Sequence, residues 1–228
     1  TPSYTSGGTM NAAGTQMLTI MLLGKECGVK VNDAALQGAL RYVYRFAGHG
    51  AVSYGDHRTE NWLGANGKNG MIAAAMQVAS ATQGDPTIYQ RARNCLGMVM
   101  LTSYPNLICG HGDEGRSDGI WRAITSSYIR DVKPDLYHSI MGSLAWYYDL
   151  CRRPSGAFGM SGCVGFNDVG SGAALALAYT APLKTLRITG AAPSKYSKKF
   201  TLPARLWGNE TDLAFLSIEK NPAFASYG

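Results

Sequence analysis

The stretch from His111 to Asp118 gathers the residue types of acid–base chemistry within one glycine-rich segment, His111-Gly112-Asp113-Glu114-Gly115-Arg116-Ser117-Asp118. A histidine can donate or accept a proton near neutral pH, and a neighbouring carboxylate can orient it. Arg116 can hold a carboxylate or a phosphate through two parallel hydrogen bonds. The alternative interpretation is structural, because Ser117 or Asp118 is a natural N-cap. Both interpretations predict that this segment is a loop before a helix.

Other glycine-rich segments carry polar residues ahead of an apolar run in the same way. Free N–H groups at the start of a helix favour anions, so helices that begin on one face would gather these polar residues around an anionic ligand. The sequence therefore predicts one site, built from candidate catalytic residues His49, His57, His111 and Asp118 and candidate ligand-binding residues Asn66, Lys68, Asp113, Arg116 and Asp168.

Metal and cofactor chemistry is disfavoured by the spacing of the candidate ligands. His49, Asp56 and His57 could approach His111, but they form no compact ligand motif. The segment Gly64–Gly70 lacks the Gly-Lys-Ser/Thr order of a phosphate-binding P-loop. The five cysteines include no Cys-x-x-Cys pair, which argues against a ribbon-type zinc site. We expect no cofactor and no metal.

A repeated order of glycine-rich loop and alanine-rich helix organises the chain. The last glycine of each loop recurs at intervals of roughly 50 residues, at Gly14, Gly70, Gly119 and Gly172, a spacing typical of helical repeats. Small residues allow such helices to crowd against their neighbours. We predict inner helices near residues 10–23, 68–82, 117–129 and 168–181.

A bulkier second helix follows each of the first three inner helices. Asn32-Asp33 can cap a helix over 34–46, Asp85-Pro86 is a strong helix start, and Asp135 starts the third. Tyr44 and Cys95 are predicted on the buried faces of the first and second of these helices. One aromatic set is predicted to fill the core, with a ligand pocket as the alternative: Trp121, Trp146, Tyr147, Tyr148 and Tyr179.

The pattern changes near residue 183. The alternation of Lys184-Thr185-Leu186-Arg187-Ile188-Thr189-Gly190 predicts a strand. The fold class is therefore all-α, an α/α toroid or partial toroid of helical hairpins, with a short irregular or β tail. We assign residues 1–182 to the helical repeats and 183–228 to a tail packed on the same domain.

These segments resemble a known superfamily. The repeated glycine loop and helix pair, together with Trp146-Tyr147-Tyr148-Asp149-Leu150 and Gly156-Ala157-Phe158-Gly159, is similar to the α/α toroids of terpenoid cyclases and prenyltransferases. The ending Leu206-Trp207-Gly208, followed by Ala214-Phe215-Leu216, resembles that of a bacterial family in this superfamily. The resemblance covers most of residues 7–218. It implies the toroid fold, with more helices in a full ring than this sequence predicts, and it favours a secreted or periplasmic location.

The activities of that superfamily do not carry over to this chain. The Asp-x-Asp-Asp motif of squalene-hopene-type cyclases is absent, and the zinc ligands of protein prenyltransferases find no matching positions. The first hypothesis is a toroid that binds or processes a small acidic or carbohydrate-like ligand, as a lyase or hydrolase whose reaction the residues do not identify. The second is a helical-repeat module without catalysis that binds a protein or completes a larger assembly.

Bulk composition limits the partners. The 228 residues are 46% hydrophobic and only 16% charged, which favours extensive burial or an interface. The net charge of +6 collects partly in the C-terminal tail, where a solvated basic face is the simpler explanation. We expect neither nucleic acid nor membrane as a partner. Since the chain begins at Thr1 without an initiator Met, we expect a processed chain or part of a longer one.

Overall fold

The computed structural model describes residues 3–4, 8–9, 11–50, 52, 68–103, 119–159 and 170–193. A short antiparallel ribbon comes first, formed by β1 (Ser3–Tyr4) and β2 (Gly8–Thr9). The rest of the described chain is mostly helical, and none of these helices is long and apolar enough to cross a membrane. The helices are α1 (Asn11–Glu26), α2 (Asp33–His49), α3 (Lys68–Thr82), α4 (Pro86–Ser103), α5 (Gly119–Ser127), α6 (Pro134–Leu150) and α7 (Gly170–Thr180).

The predicted helices are confirmed, and two of the predicted starts are confirmed with their caps. Asn32 Oδ1 accepts a hydrogen bond from the Ala35 amide at 3.0 Å, and Asp85 Oδ1 accepts one from the Thr87 amide at 2.9 Å. The start of α6 differs from the prediction. This helix begins at Pro134, so Asp135 lies in its first turn. There its negative charge interacts favourably with the helix dipole, and it is not the N-cap residue.

The helices form two rows, distinguished by their contacts. In the inner row α1 contacts α3, α3 contacts α5, and α5 contacts α7; in the outer row α4 contacts both α2 and α6. Helix α3 lies against α1, α4 and α5, and every residue from Lys68 to Met76 is buried. Small residues permit this crowding. An added Cβ at Gly97 of α4 would stand 3.1 Å from the Thr125 carbonyl oxygen of α5.

Each outer helix buries one stripe of side chains, and two residues that were predicted to be buried lie at the edge of such a stripe. Leu40 and Val43 of α2 and Leu96 of α4 are buried. Tyr44 is 38% exposed and Cys95 is exposed, so both burial predictions are wrong. Each residue directly adjoins a buried one in sequence, and one helical step of 100° turns its side chain toward the rim.

The aromatic set divides between the core and the surface. Tyr147 and Tyr148 are buried with Leu144 and Cys151, as predicted for core aromatics. Trp146 and Tyr179 are 60% and 62% exposed, so a core role for these two is wrong. The buried stripe of α6 follows Leu144, Tyr147, Tyr148 and Cys151, and Trp146 lies outside it. One side of the α6–α7 pair therefore presents aromatic surface.

The strand predicted over residues 184–190 is wrong. The chain forms two short 3₁₀ turns, Ala181–Leu183 and Arg187–Thr189. The Leu186 amide donates to Thr189 Oγ1 at 3.0 Å, which closes the second turn, and Gly190 ends it in a left-handed conformation with φ of 109°. A local side-chain bond thus replaces the ladder that a strand would need. The rest of the tail, from residue 194, lies outside the described residues.

The two 3₁₀ turns cover the C-terminal ends of the inner helices. Arg187 Nε lies 2.9 Å from a Glu26 carboxylate oxygen at the end of α1, and Tyr128 Oη donates to the Ile188 carbonyl at 2.5 Å. Burial raises the pKa of Tyr128, and the Arg93 guanidinium, 5.6 Å from its ring centre, opposes that rise. This end of the inner row is therefore closed by specific polar contacts.

Candidate functional site

The N-terminal ends of α1, α3 and α5 carry buried polar side chains. We call this end of the inner row the mouth, defined by Asn11, Thr15, Lys68, Asn69 and Arg122. Lys68 and Arg122 are each only 1% exposed, and the three neutral residues are 2% exposed. Lysine and arginine are almost never fully buried in globular proteins unless their charge is paired. Two buried cations at the start of neighbouring helices therefore single out this end of the molecule.

Hydrogen bonds tie the mouth to the outer row. Asn69 Nδ2 donates to the Gly50 carbonyl at 2.7 Å, which joins the start of α3 to the end of α2. Tyr42 Oη of α2 donates to Asn11 Oδ1 of α1 at 3.0 Å. The Gly50 backbone is left-handed, with φ of 65°, and its amide bonds back to the last turn of α2. The two rows are thus fixed relative to each other beside the site.

A close approach of α3 and α5 positions the two cations. A Cβ atom added to Gly70 would lie 2.7 Å from Trp121 Cβ and 3.0 Å from the Trp121 carbonyl carbon and oxygen. Only glycine fits this crossing, because ordinary carbon contacts lie at about 3.5–4.0 Å. Gly70 follows Lys68 by two positions, and Trp121 precedes Arg122. The helix contact therefore brings the chain segments of both cations together.

Charges are unevenly distributed along the helices. Within the described ranges, five carboxylates lie at or beside the helix ends opposite the mouth: Glu26, Asp33, Asp85, Asp131 and Asp135. A sixth, Asp149, lies exposed near the end of α6. Six further acids precede the inner helices in sequence: Asp56 and Glu60 before α3, Asp113, Glu114 and Asp118 before α5, and Asp168 before α7. The mouth is thus cationic on its helices and acidic in its loop sequences.

Two of the predicted site residues lie among the described ones. Lys68 is the first residue of α3 and is buried, whereas His49 is the last residue of α2 and is exposed. The Asn69–Gly50 bond joins the backbone beside His49 to the start of α3. The remaining predicted residues lie outside the described ranges: His57, Asn66, His111, Asp113, Arg116, Asp118 and Asp168.

Arg122 was not predicted, although the sequence contains a signal for it. Within the described part of α5, it is the single charged residue in an otherwise neutral helix, Gly119-Ile120-Trp121-Arg122-Ala123-Ile124-Thr125-Ser126-Ser127. A single charge in the first turn of a short neutral helix indicates a buried role when that helix belongs to the inner row. The described residues contain no group of three or more His, Cys, Asp or Glu side chains that could hold a metal ion.

Comparison with protein families gives one match. Residues 1–190, which include all seven described helices and both 3₁₀ turns, match the family model described as domain of unknown function DUF6288. The chain belongs to the DUF6288 family. No curated protein and no solved structure matches it. The family match assigns no chemistry to this DUF6288 chain.

Proposed function

We propose that this DUF6288 domain is an α/α toroid or partial toroid that binds a small acidic or carbohydrate-like ligand at the mouth. The two rows of helices support the architecture, since each inner helix contacts the next and outer helices flank them. In such an arrangement the loops before the inner helices gather at one end of the fold. The alanine-rich composition of the inner row permits the close spacing that a ring requires.

The buried cations Lys68 and Arg122 carry the proposal, because each is 1% exposed. A charge removed from water is strongly destabilising unless an opposite charge accompanies it. Carboxylates from the loops before α3, α5 and α7 can supply that charge, and the same two cations also attract a bound anion. The ends of α3 and α5 add oriented N–H groups, which also favour negative charge.

The acid–base residues give the mouth a capacity for catalysis. His111 and Asp118, with His49 and His57, are candidates for proton transfer, and Arg116 is a candidate for holding a ligand carboxylate. Asn66, Asp113 and Asp168 complete the set of candidate ligand-binding residues. These types suit a lyase or a hydrolase acting on an acidic sugar. We propose the binding function first and this enzyme class as its extension.

The charge preference is tested with two sugars that differ mainly in one group. D-glucuronate carries a carboxylate where D-glucose carries a neutral alcohol. We expect glucuronate to bind with at least tenfold higher affinity, a difference of about 1.4 kcal/mol, in isothermal titration calorimetry. At ten times its dissociation constant it should stabilise the domain by about 1.4 kcal/mol. Equal affinity for the two sugars, or no binding of either, would contradict the proposal.

A matched pair of lysine variants locates the binding. Lys68→Met should abolish the preference for glucuronate, whereas Lys25→Met should leave it unchanged, because Lys25 pairs with Asp33 at the exposed opposite end. Asp118→Asn and His111→Ala separate capping from chemistry. Asparagine caps a helix about as well as aspartate, so a purely structural Asp118 predicts no change in binding or turnover. We expect both variants to keep the melting temperature and to lose binding or turnover.

A second candidate function is a protein-interaction module, favoured by exposed apolar side chains on the first and last helices of the inner row. Met17 and Ile20 of α1 are 53% and 58% exposed, and Tyr179 of α7 is 62% exposed. Terminal repeats usually need a polar outer face. This candidate predicts self-association or an open ring completed by a partner. Sedimentation of purified protein that shows a monomer at all concentrations, with no partner retained from its source, would count against it.

A further inference from the structure

A groove between α6 and the end of α7 lies apart from the mouth. It encloses about 310 Å³, at the lower end of the range for small-molecule sites. Tyr148 and Tyr179 form one wall, with ring centres 5.9 Å apart in an edge-to-face arrangement. Met141 and Leu183 also line it, and Leu183 is 65% exposed. The groove therefore offers aromatic and flexible apolar surface that solvent can reach.

Two basic side chains, Arg130 and His138, line the same groove. Arg130 Nη1 donates to the Pro182 carbonyl at 3.3 Å, a long bond that holds the guanidinium at the groove. A guanidinium has five N–H donors, so this single bond leaves most of the fork available. No carboxylate lines the groove in the described part of the chain, and nearby Asp131 pairs with Lys184.

We propose that this groove binds a small amphipathic carboxylate, a molecule with an aromatic or aliphatic body and one acid group. The body would lie against Tyr148 and Tyr179, and the carboxylate would bind the Arg130 fork. An apolar pocket with a few convergent polar groups is the usual form of a small-molecule site. Arginine supplies the planar donor pair that a carboxylate matches. This proposal is independent of the ligand proposed for the mouth.

The molecule contains its own comparison groove. A second cavity, of about 420 Å³, lies between α1 and α2 and is lined by Met17, Met21 and Tyr42, together with Asn11 and Thr15 of the mouth, and without a charged residue. If apolar surface alone decided binding, this larger groove would serve as well as the first. If the basic pair decides, the α6–α7 groove should distinguish an acid from its neutral analogue, and this second groove should not.

The probes are 4-phenylbutyrate and 4-phenylbutanol, which share an apolar body and differ in charge. We expect the full chain to bind the acid at least tenfold more tightly than the alcohol, measured by ligand-observed NMR or by calorimetry. Arg130→Met should reduce affinity for the acid to that of the alcohol and leave the alcohol unaffected. Tyr179→Ala should weaken both probes. Met17→Ala truncates a similarly exposed side chain in the comparison groove, 53% against 62% for Tyr179, and should change the affinity for neither probe.

Further measurements separate loss of the proposed contact from unfolding of the groove and from binding at the mouth. Melting of Arg130→Met shows whether loss of the bond to Pro182 has unfolded the groove, and Arg130→Lys keeps the charge without the fork. A folded Arg130→Met that still prefers the acid would overturn the proposal, and so would equal affinity of the native chain for both probes. Lys68→Met, which should abolish the preference for glucuronate at the mouth, is expected to bind 4-phenylbutyrate normally. If it does not, the acid binds at the mouth and the groove assignment is wrong.

Discussion

Substituting alanine for Gly70 tests the contact that positions the mouth. The new methyl group would stand 2.7 Å from Trp121 Cβ and 3.0 Å from two Trp121 main-chain atoms. Two of these three neighbours are backbone, so no rotamer change relieves the clash. Helix α5 would have to retreat by about 1 Å to restore ordinary contact distances. Such overpacking typically costs about 1–3 kcal/mol.

Helix propensity acts in the opposite direction. Alanine is favoured over glycine by about 0.8–1.0 kcal/mol inside a helix, and by less in a first turn. Since Gly70 is the third residue of α3, we expect the clash to dominate and the free energy of unfolding to fall by about 1–2 kcal/mol. Gly142 of α6 is the matched control, because no atom lies within 4 Å of its added Cβ. Gly142→Ala should raise the free energy of unfolding by about 0.5–1 kcal/mol.

Urea denaturation monitored by circular dichroism measures both variants. The two midpoints should move in opposite directions at a constant slope, because neither substitution changes the surface exposed on unfolding. Gly70→Ala should also weaken glucuronate binding, since a retreat of α5 moves Arg122 away from Lys68. A Gly70→Ala protein as stable as the native chain would refute the close helix approach. Loss of stability with unchanged binding would refute the link between that approach and the mouth.

Two further predictions concern the 3₁₀ turns that close the opposite end. Arg187→Met should lower the free energy of unfolding by about 2 kcal/mol, because its partner Glu26 is only 12% exposed and would keep a largely buried charge. The control is Lys25→Met, which removes an exposed ion pair and should cost under about 0.5 kcal/mol. Chemical denaturation compares the two variants. Tyr128→Phe should remove a loss of stability at alkaline pH. Burial raises the folded-state pKa of Tyr128, so above an unfolded pKa of about 10 the unfolded chain binds fewer protons, and native stability should fall by up to about 1.4 kcal/mol per pH unit. A pH series of melting curves for both proteins checks this, and identical alkaline losses would contradict it.

The elements that the sequence predicts well are those with local causes. The caps at Asn32 and at Asp85-Pro86 act through hydrogen bonds within one helical turn, so the residues alone locate α2 and α4. The glycine-to-alanine order locates the inner helices for a similar reason. Toroid closure is different in kind, because it depends on the sum of many helix crossings, and it stays a prediction.

The errors and omissions arise where tertiary contacts decide. The alternation over 184–190 is real, but Thr189 bonds locally to the Leu186 amide and Gly190 turns the chain, so a strand does not form. Arg122 stands out as the one charge in the described helix α5, but its depth of burial is set by the packing of α5 against α3, α4 and α7. Of the predicted site, the described residues include His49 and Lys68, and the link between their helices runs through Asn69 and Gly50.

At the mouth, the packing of the helices and the strength of the charges are therefore linked. The absence of a side chain at Gly70 lets α3 and α5 meet at Trp121, next to the buried Lys68 and Arg122. A looser crossing would leave both cations hydrated, with little attraction for an anion in a high-dielectric environment. A tight crossing keeps both charges in a low-dielectric environment, where their attraction for an anion is stronger. The glycine at this crossing thus connects the repeat pattern of the sequence to the anion preference that we propose for the mouth.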